Sequence, residues 1–459
     1  MPASTRFRVH ISPSWFAIAA LVALTALCLL VRVGGVLRLV FPAGCFVVGS
    51  FLYVYNPTLY VGFTWWVWFL SPWVRRLVDV QAGWVDPSPL LLAPFLTTLV
   101  TIVTLVRYLP GTYSRGGLPF LLALLGVVYG FLVGLINAPI TATIVPLLNW
   151  LTPILFGFHL FAHWRDYPQY RDTLQRTFLW SVLVMGTYGV VQYLTAPAWD
   201  RFWLSNQETL VFGTPEPLSI RVFSTMNSPQ PFAFVLAAGL LLVFSGQGTS
   251  RFFGAIVGYL SFLLSLARSA WLGWAVSLLW LIPALKPRLQ IRVILSLLVL
   301  VLLVFPLTTI EPFSNVIQTR LQTLGDVGSD TSYAARSQGY SEALGIALNQ
   351  VLGQGLGSTL PSDSLGSNDS GVLSLLFTLG WLGTLPYVAG LGLLLFYGAG
   401  NSMPQTDTFG KTAQAIVLGA LAQIGLNNVM LGVFGMVLWS FLGMTIAAQR
   451  YGCHQPVRE

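Results

Sequence analysis

The chain has 459 residues, 55% of them hydrophobic and 8% charged, with a mean hydropathy of +0.74. Soluble domains carry roughly 25% charged residues, so the composition excludes a soluble globular protein and describes an integral membrane protein. The net charge of +8 comes from 21 Arg and 2 Lys against 15 carboxylates, with no basic run. That pattern fits loops obeying the positive-inside rule and excludes a nucleic-acid-binding arm. Cys28, Cys45 and Cys453 are dispersed and form neither a disulfide framework nor a CxxC metal motif.

Continuous apolar runs of about 17 to 25 residues meet the length requirement of spanning helices. A β-barrel would show alternating segments of about ten. The run Trp15–Val31 imitates a signal peptide but lacks a small-residue cleavage site, and reads as a retained first helix. Candidate spans follow in order at 14–31, 39–55, 58–74, 89–106, 118–136, 140–162, 176–195, 231–246, 252–268, 270–285, 291–308, 371–398, 412–427 and 429–448. The expected fold is an all-α polytopic bundle of 12–14 transmembrane helices, where Asn56-Pro57 marks either a tight turn or a re-entrant break.

With the N-terminus cytoplasmic, 14 of the 23 basic residues fall on the cytoplasmic side. Arg32, Arg38, Arg75 and Arg76 are exceptions to the rule. The C-terminus is then expected to be cytoplasmic as well, and in a bacterium the setting would be the inner membrane. Two long connections, 196–230 and 309–370, face the periplasm. The chain divides into an N-terminal bundle over 1–308, a large periplasmic loop over 309–370, and C-terminal helices with a short tail over 371–459.

The interval 311–370 holds six of the fifteen carboxylates together with Arg320 and Arg336, an unusual polar concentration for this chain. Within it, Tyr340–Leu352 carries apolar residues at 344, 346, 348, 351 and 352, suiting a short amphipathic helix on the membrane or the bundle. Leu352-Gly-Gln-Gly-Leu-Gly357 reads as a flexible turn or a phosphate cradle. It lacks the preceding strand and the following Lys-Ser/Thr of a phosphate loop. Asp369, just before the apolar run from Gly371, reads as a helix N-cap or as a general base at the mouth of the bundle.

Arg221, Arg268 and Arg336 all lie on the expected periplasmic face. A guanidinium there is either a snorkelling interfacial anchor, beside Trp271 and Trp274 in the case of Arg268, or a bidentate clamp for phosphate. His159 and His163 share a helix face without an evident third ligand, which favours interfacial packing over a metal site. The chain contains no DxD and no Walker A sequence.

At these residues the sequence resembles the O-antigen ligase and polysaccharide polymerase superfamily. Arg221-Val-Phe-Ser-Thr-Met-Asn-Ser-Pro-Gln-Pro-Phe-Ala is similar to its R-x-x-G/S-T-x-x-N-P-N-x-x-A block. Leu266-Ala-Arg-Ser-Ala-Trp-Leu-Gly is similar to its S-R-G/S-x-W block, with Ala267 in place of Ser. Arg336 followed by the 352–357 glycines, and Asn368-Asp-Ser-Gly leading into the next span, complete the order. The resemblance implies a metal-independent, GT-C-like membrane glycosyltransferase without a cofactor. Its donor would be a glycan on undecaprenyl pyrophosphate and its acceptor a glycan or lipid, in company with other polysaccharide-assembly proteins. Arg221 and Arg268 would bind the pyrophosphate, and Arg336 would support the loop or the phosphates. Ligases of the superfamily carry a His before the late helix, whereas this chain has Asn368 and Asp369 there. That departure favours a polymerase over a ligase, with Asp369 as the candidate catalytic base. An anion (inorganic carbon) transporter is the reading from a different class; it calls for charges near the bilayer midplane and discontinuous helices.

Overall fold

The apolar runs fold as helices. A computed structural model describes residues 12–111, 116–207, 212–245, 250–285, 287–291, 293–295, 298, 343–358, 370–400 and 407–454. Among them all regular structure is helical, apart from one antiparallel bridge between Gly213 and Ile220. In order come α1 (Pro13–Leu30), α2 (Gly34–Tyr55), α3 (Pro57–Ala82), α4 (Ala93–Leu99), α5 (Ile102–Tyr108), α6 (Leu118–Asn137), α7 (Ile140–Ala162) and α8 (Tyr167–Thr195). They are followed by α9 (Ala198–Ser205), α10 (Pro229–Ser245), α11 (Ser250–Leu264), α12 (Arg268–Ala284), α13 (Gly371–Gly398), α14 (Thr408–Leu421) and α15 (Gly432–His454).

Eight helical stretches among the described residues are long and apolar enough to cross a membrane. The protein is an all-α, multi-pass membrane protein. Each expected span overlaps one of the helices α1–α15 except 291–308, most of which lies outside the described residues; those at 58–74, 231–246, 252–268, 270–285 and 412–427 fall on helices beyond the eight.

The turn between α2 and α3 is tight. Asn56 caps α3 by accepting from Leu59 N at 3.1 Å, and Pro57 occupies the first helical position, where its missing N–H is harmless. The helix then runs past the expected end at 74, through Arg75, Arg76 and Asp79. Hydropathy ends a span at such charges, but the backbone continues because they neutralise one another. Asp79 pairs with Arg75 at 3.1 Å and with Arg38 of α2 at 3.2 Å.

Between helices in a bilayer, close packing replaces the hydrophobic effect as the source of association, and small residues permit it. A β-carbon on Gly157 of α7 would stand 2.5 Å from the Trp439 carbonyl of α15. One on Gly126 of α6 would stand 2.5 Å from the Gly383 carbonyl of α13. The apolar window of α15 is 94% buried and that of α1 only 11%, which makes α15 the axis of the bundle and α1 a peripheral helix.

α13 is not continuous. Gly380 has φ +59, ψ −175, and breaks the helix about 14 Å along its axis at 1.5 Å per residue. Backbone groups freed at that depth need partners, and residues 350–356 supply them. Gln354 and Gly355 donate to the Phe377 and Thr378 carbonyls at 2.9 Å, while Trp381 and Leu382 donate to the Gln350 and Val351 carbonyls at 3.3 Å. Leu356 donates to Gly130 of α6 at 2.9 Å. The strap wedges between α6 and α13 because Gly353, Gly355 and Gly357 adopt φ of +74, +83 and +91, with the backbones of neighbouring helices against their α-carbons.

The glycine-rich segment is therefore neither a flexible turn nor a phosphate cradle, since its central amides, those of Gln354, Gly355 and Leu356, are spent on helix carbonyls. The short helix before it covers 343–348. Ala343 and Ala347 pack on Leu373, Leu376 and Phe377, while Ile346, Leu348, Val351 and Leu352 are exposed.

Candidate functional site

One end of the bundle gathers the C-terminal ends of α3, α8, α11 and α14, the N-terminal ends of α12 and α13, helix α9, and the connection 212–228. Leu218 N donates to Tyr193 O at 2.7 Å and Val222 N to Leu264 O at 3.1 Å, so this connection lies directly on the ends of α8 and α11. Among the described residues, the basic residues expected to be cytoplasmic sit at the opposite end. There Tyr167 Oη donates to Asp407 at 2.6 Å, Lys411 Nζ donates to Ala284 O at 2.7 Å, and Arg450 stacks 4.3 Å over Phe161.

Arg221 reaches from the connection to the end of α11. Its Nε donates to Ser265 O at 3.3 Å and its Nη2 to Leu266 O at 3.2 Å. These carbonyls belong to the turn that delivers Arg268, the first residue of α12. The two arginines that sequence alone placed in separate segments therefore belong to one corner, and both are half-buried there. Each segment also holds a non-glycine residue in the left-handed region, Ser224 at φ +49 and Leu266 at φ +53. Such conformations persist only where the surroundings dictate them.

Next to Arg268, Ser269 Oγ accepts from Asn427 Nδ2 at 2.9 Å, and Asn427 Nδ2 also donates to Gln423 Oε1 at 3.1 Å. The same polar turn after α14 receives the start of α13: Gly371 N donates to Ile424 O at 2.8 Å. The helix that follows Asp369 thus begins beside the Arg268 corner. Ser370, not Asp369, caps α13, its Oγ accepting from Leu373 N at 3.4 Å. Asp369 and Arg336 themselves lie outside the described residues.

The largest departure from the sequence reading is at Arg76, met there only as an exception to the positive-inside rule. It is fully buried, with Nε 3.1 Å from Asp200 Oδ1 in an ion pair directed off the N–H axis. Nη1 donates to Met226 O at 2.9 Å, Nη2 donates to Ser224 O, and the guanidinium stacks 4.8 Å over Phe223. Asp200 Oδ2 accepts from Tyr188 Oη at 2.7 Å and from Gln192 Nε2 at 2.9 Å. Gln192 Oε1 in turn accepts from the amides of Phe223 at 3.0 Å and Ser224 at 2.8 Å. An arginine pair placed late in an apolar run, against the charge rule, was the signal available for this network.

The rings of His159 and His163 stand 4.6 Å apart between centroids, and the Nδ1 of each has a protein partner. His159 Nδ1 lies 2.7 Å from Thr104 Oγ1, and His163 Nδ1 is 2.9 Å from the His159 carbonyl oxygen. No group of three or more His, Cys, Asp or Glu able to hold a metal ion occurs among the described residues. The sequence of this chain matches no family model, and no curated protein matches it.

Proposed function

We propose that the protein is a membrane glycosyltransferase of cell-surface polysaccharide assembly, a polymerase that transfers glycan from an undecaprenyl-pyrophosphate donor to an acceptor glycan. The observation that carries the reading is the shared corner of Arg221 and Arg268, at the end of the bundle opposite the basic loops. Guanidinium groups stay charged at all working pH and match phosphate oxygens bidentately. At a membrane face they stabilise the charge of a diphosphate leaving group as the glycosyl–oxygen bond breaks.

In this reading the acceptor hydroxyl oxygen attacks the anomeric carbon, its proton passes to Asp369, and undecaprenyl pyrophosphate departs with the bonding electron pair. Arg336 supports the loop or the phosphates. The distribution of bases supports an inner-membrane orientation with both termini cytoplasmic and the arginine corner periplasmic. The break in α13 does not favour a transporter. Its freed backbone groups are filled by the strap, whereas a transporter's unwound helix presents them to an ion.

The test is purified protein in lipid nanodiscs, supplied with a lipid-pyrophosphate repeat unit. A ladder of products is expected, lost in Arg221→Ala and Arg268→Ala at unchanged protein abundance. Wild-type polymer length in both variants would sink the assigned roles. Single addition onto a lipid acceptor would mean a ligase, and anion uptake without glycan transfer would mean a transporter.

A further inference from the structure

The 222–226 turn is held from two sides by groups that share one buried network. Gln192 takes the Phe223 and Ser224 amides, Arg76 takes the Ser224 and Met226 carbonyls, and Asp200 joins Arg76 to Gln192. Ser224 Oγ adds a bond to Met185 O at 2.6 Å. Arg76, Asp200, Gln192 and Ser224 are all fully buried, so these bonds are shielded from bulk water. A turn deprived of these bonds must move to satisfy its polar groups elsewhere. Arg221 precedes the turn by one residue, and its side chain carries the position of the turn on to Ser265, Leu266 and so to Arg268.

We propose that Arg76 is a positioning residue. Acting through Asp200 and Gln192, it fixes the turn that aims Arg221 and Arg268 at the diphosphate of the donor. The proposal rests on the reading above that these two arginines grip a diphosphate. The network needs arginine specifically: its planar fork bonds two carbonyls while facing Asp200, and a lysine ammonium has no such fork. The pair is also neutral overall, so its contribution is geometric, without adding charge at the site.

The experiment measures binding of geranylgeranyl diphosphate to the full chain in nanodiscs, per folded molecule, together with thermal unfolding. Arg76→Lys and the isosteric Asp200→Asn are expected to weaken binding by about tenfold to a hundredfold, the scale that small misplacements of binding groups produce. Asp200→Asn keeps the side-chain shape should Arg76→Lys fold poorly. Arg75→Gln is the control. Arg75 is buried as well, bonds Asp79 and Asp86, and lies against the rings of both Trp84 and Trp203, but belongs to none of the bonds that hold 222–226. It should lower the unfolding temperature and leave the affinity unchanged. Wild-type affinity in Arg76→Lys and Asp200→Asn, with weak binding in Arg268→Ala, overturns the positioning role alone. Equal weakening in Arg75→Gln reduces the effect to general destabilisation and also overturns it. Unchanged affinity in Arg268→Ala removes the diphosphate reading and this proposal with it.

Discussion

Gly355 donates its amide to the Thr378 carbonyl at 2.9 Å while its α-carbon rests against the backbone of Gly134, so one residue of the strap joins both helices it separates. A side chain has no room there, and φ of +83 disfavours any L-residue by roughly 1–2 kcal/mol before steric overlap is counted. Gly355→Ala should undock the strap, lower the unfolding temperature in detergent and make 343–358 sensitive to protease. Gly345→Ala, which meets open space, should do neither.

Asp79 serves two arginines at once and is only 1% exposed. Its removal strips Arg38 of its carboxylate partner and leaves Arg75 only Asp86, a change worth roughly 3–5 kcal/mol when a buried pair is broken. Asp79→Ala should therefore be strongly destabilising in an equilibrium unfolding assay. Adding Arg38→Ala should then cost less than it does in the wild-type background; strict additivity would mean the pair is not coupled.

Because Ser370 takes the capping role, stability and transfer should separate at adjacent positions. Ser370→Ala is expected to lower stability by about 1 kcal/mol, the usual loss of an N-cap, and to leave transfer largely intact. Asp369→Asn is expected to keep stability and lower the transfer rate by about 10²–10⁴-fold, the range for a general base. Full activity in Asp369→Asn excludes it as the base.

Sidedness is testable through Cys453, which is exposed in the last turn of α15, in contrast to buried Cys45. In intact cells a membrane-impermeant maleimide should miss Cys453 and label Glu216→Cys, an exposed position in the 212–228 connection. Permeabilisation should expose both. Labelling of Cys453 in intact cells inverts the proposed orientation.

The helices were legible in the sequence because a bilayer-spanning run announces itself by length and hydropathy, and Asn56-Pro57 announces a capped turn. What stayed hidden depends on pairing across the chain. The two extra turns of α3 exist because Arg75 and Asp79 neutralise each other, which no local average of hydropathy registers. The break at Gly380 falls inside an unbroken apolar run, and its repair comes from residues 350–356. At the site, arginine chemistry pointed to Arg221 and Arg268, but only the bonds to Ser265 and Leu266 bring them to one corner. Gln192 and Asp200 carried no motif, and their roles emerge from partners far away in sequence.

The tight seam between α7 and α15, where Gly157 faces Trp439 and Gly443, has a consequence for biogenesis. The ribosome makes α7 long before α15, so during synthesis α7 stands in the membrane with its most intimate face open. Loosely packed α1, by contrast, needs little from the helices that follow. The bundle cannot close around its axis until α15 is inserted, and until then that small-residue face is open to competing helices. A stop or frameshift ahead of Gly432 would thus remove the keystone of the assembly, and membrane quality control would meet an unsealed bundle of helices in place of a merely shortened protein.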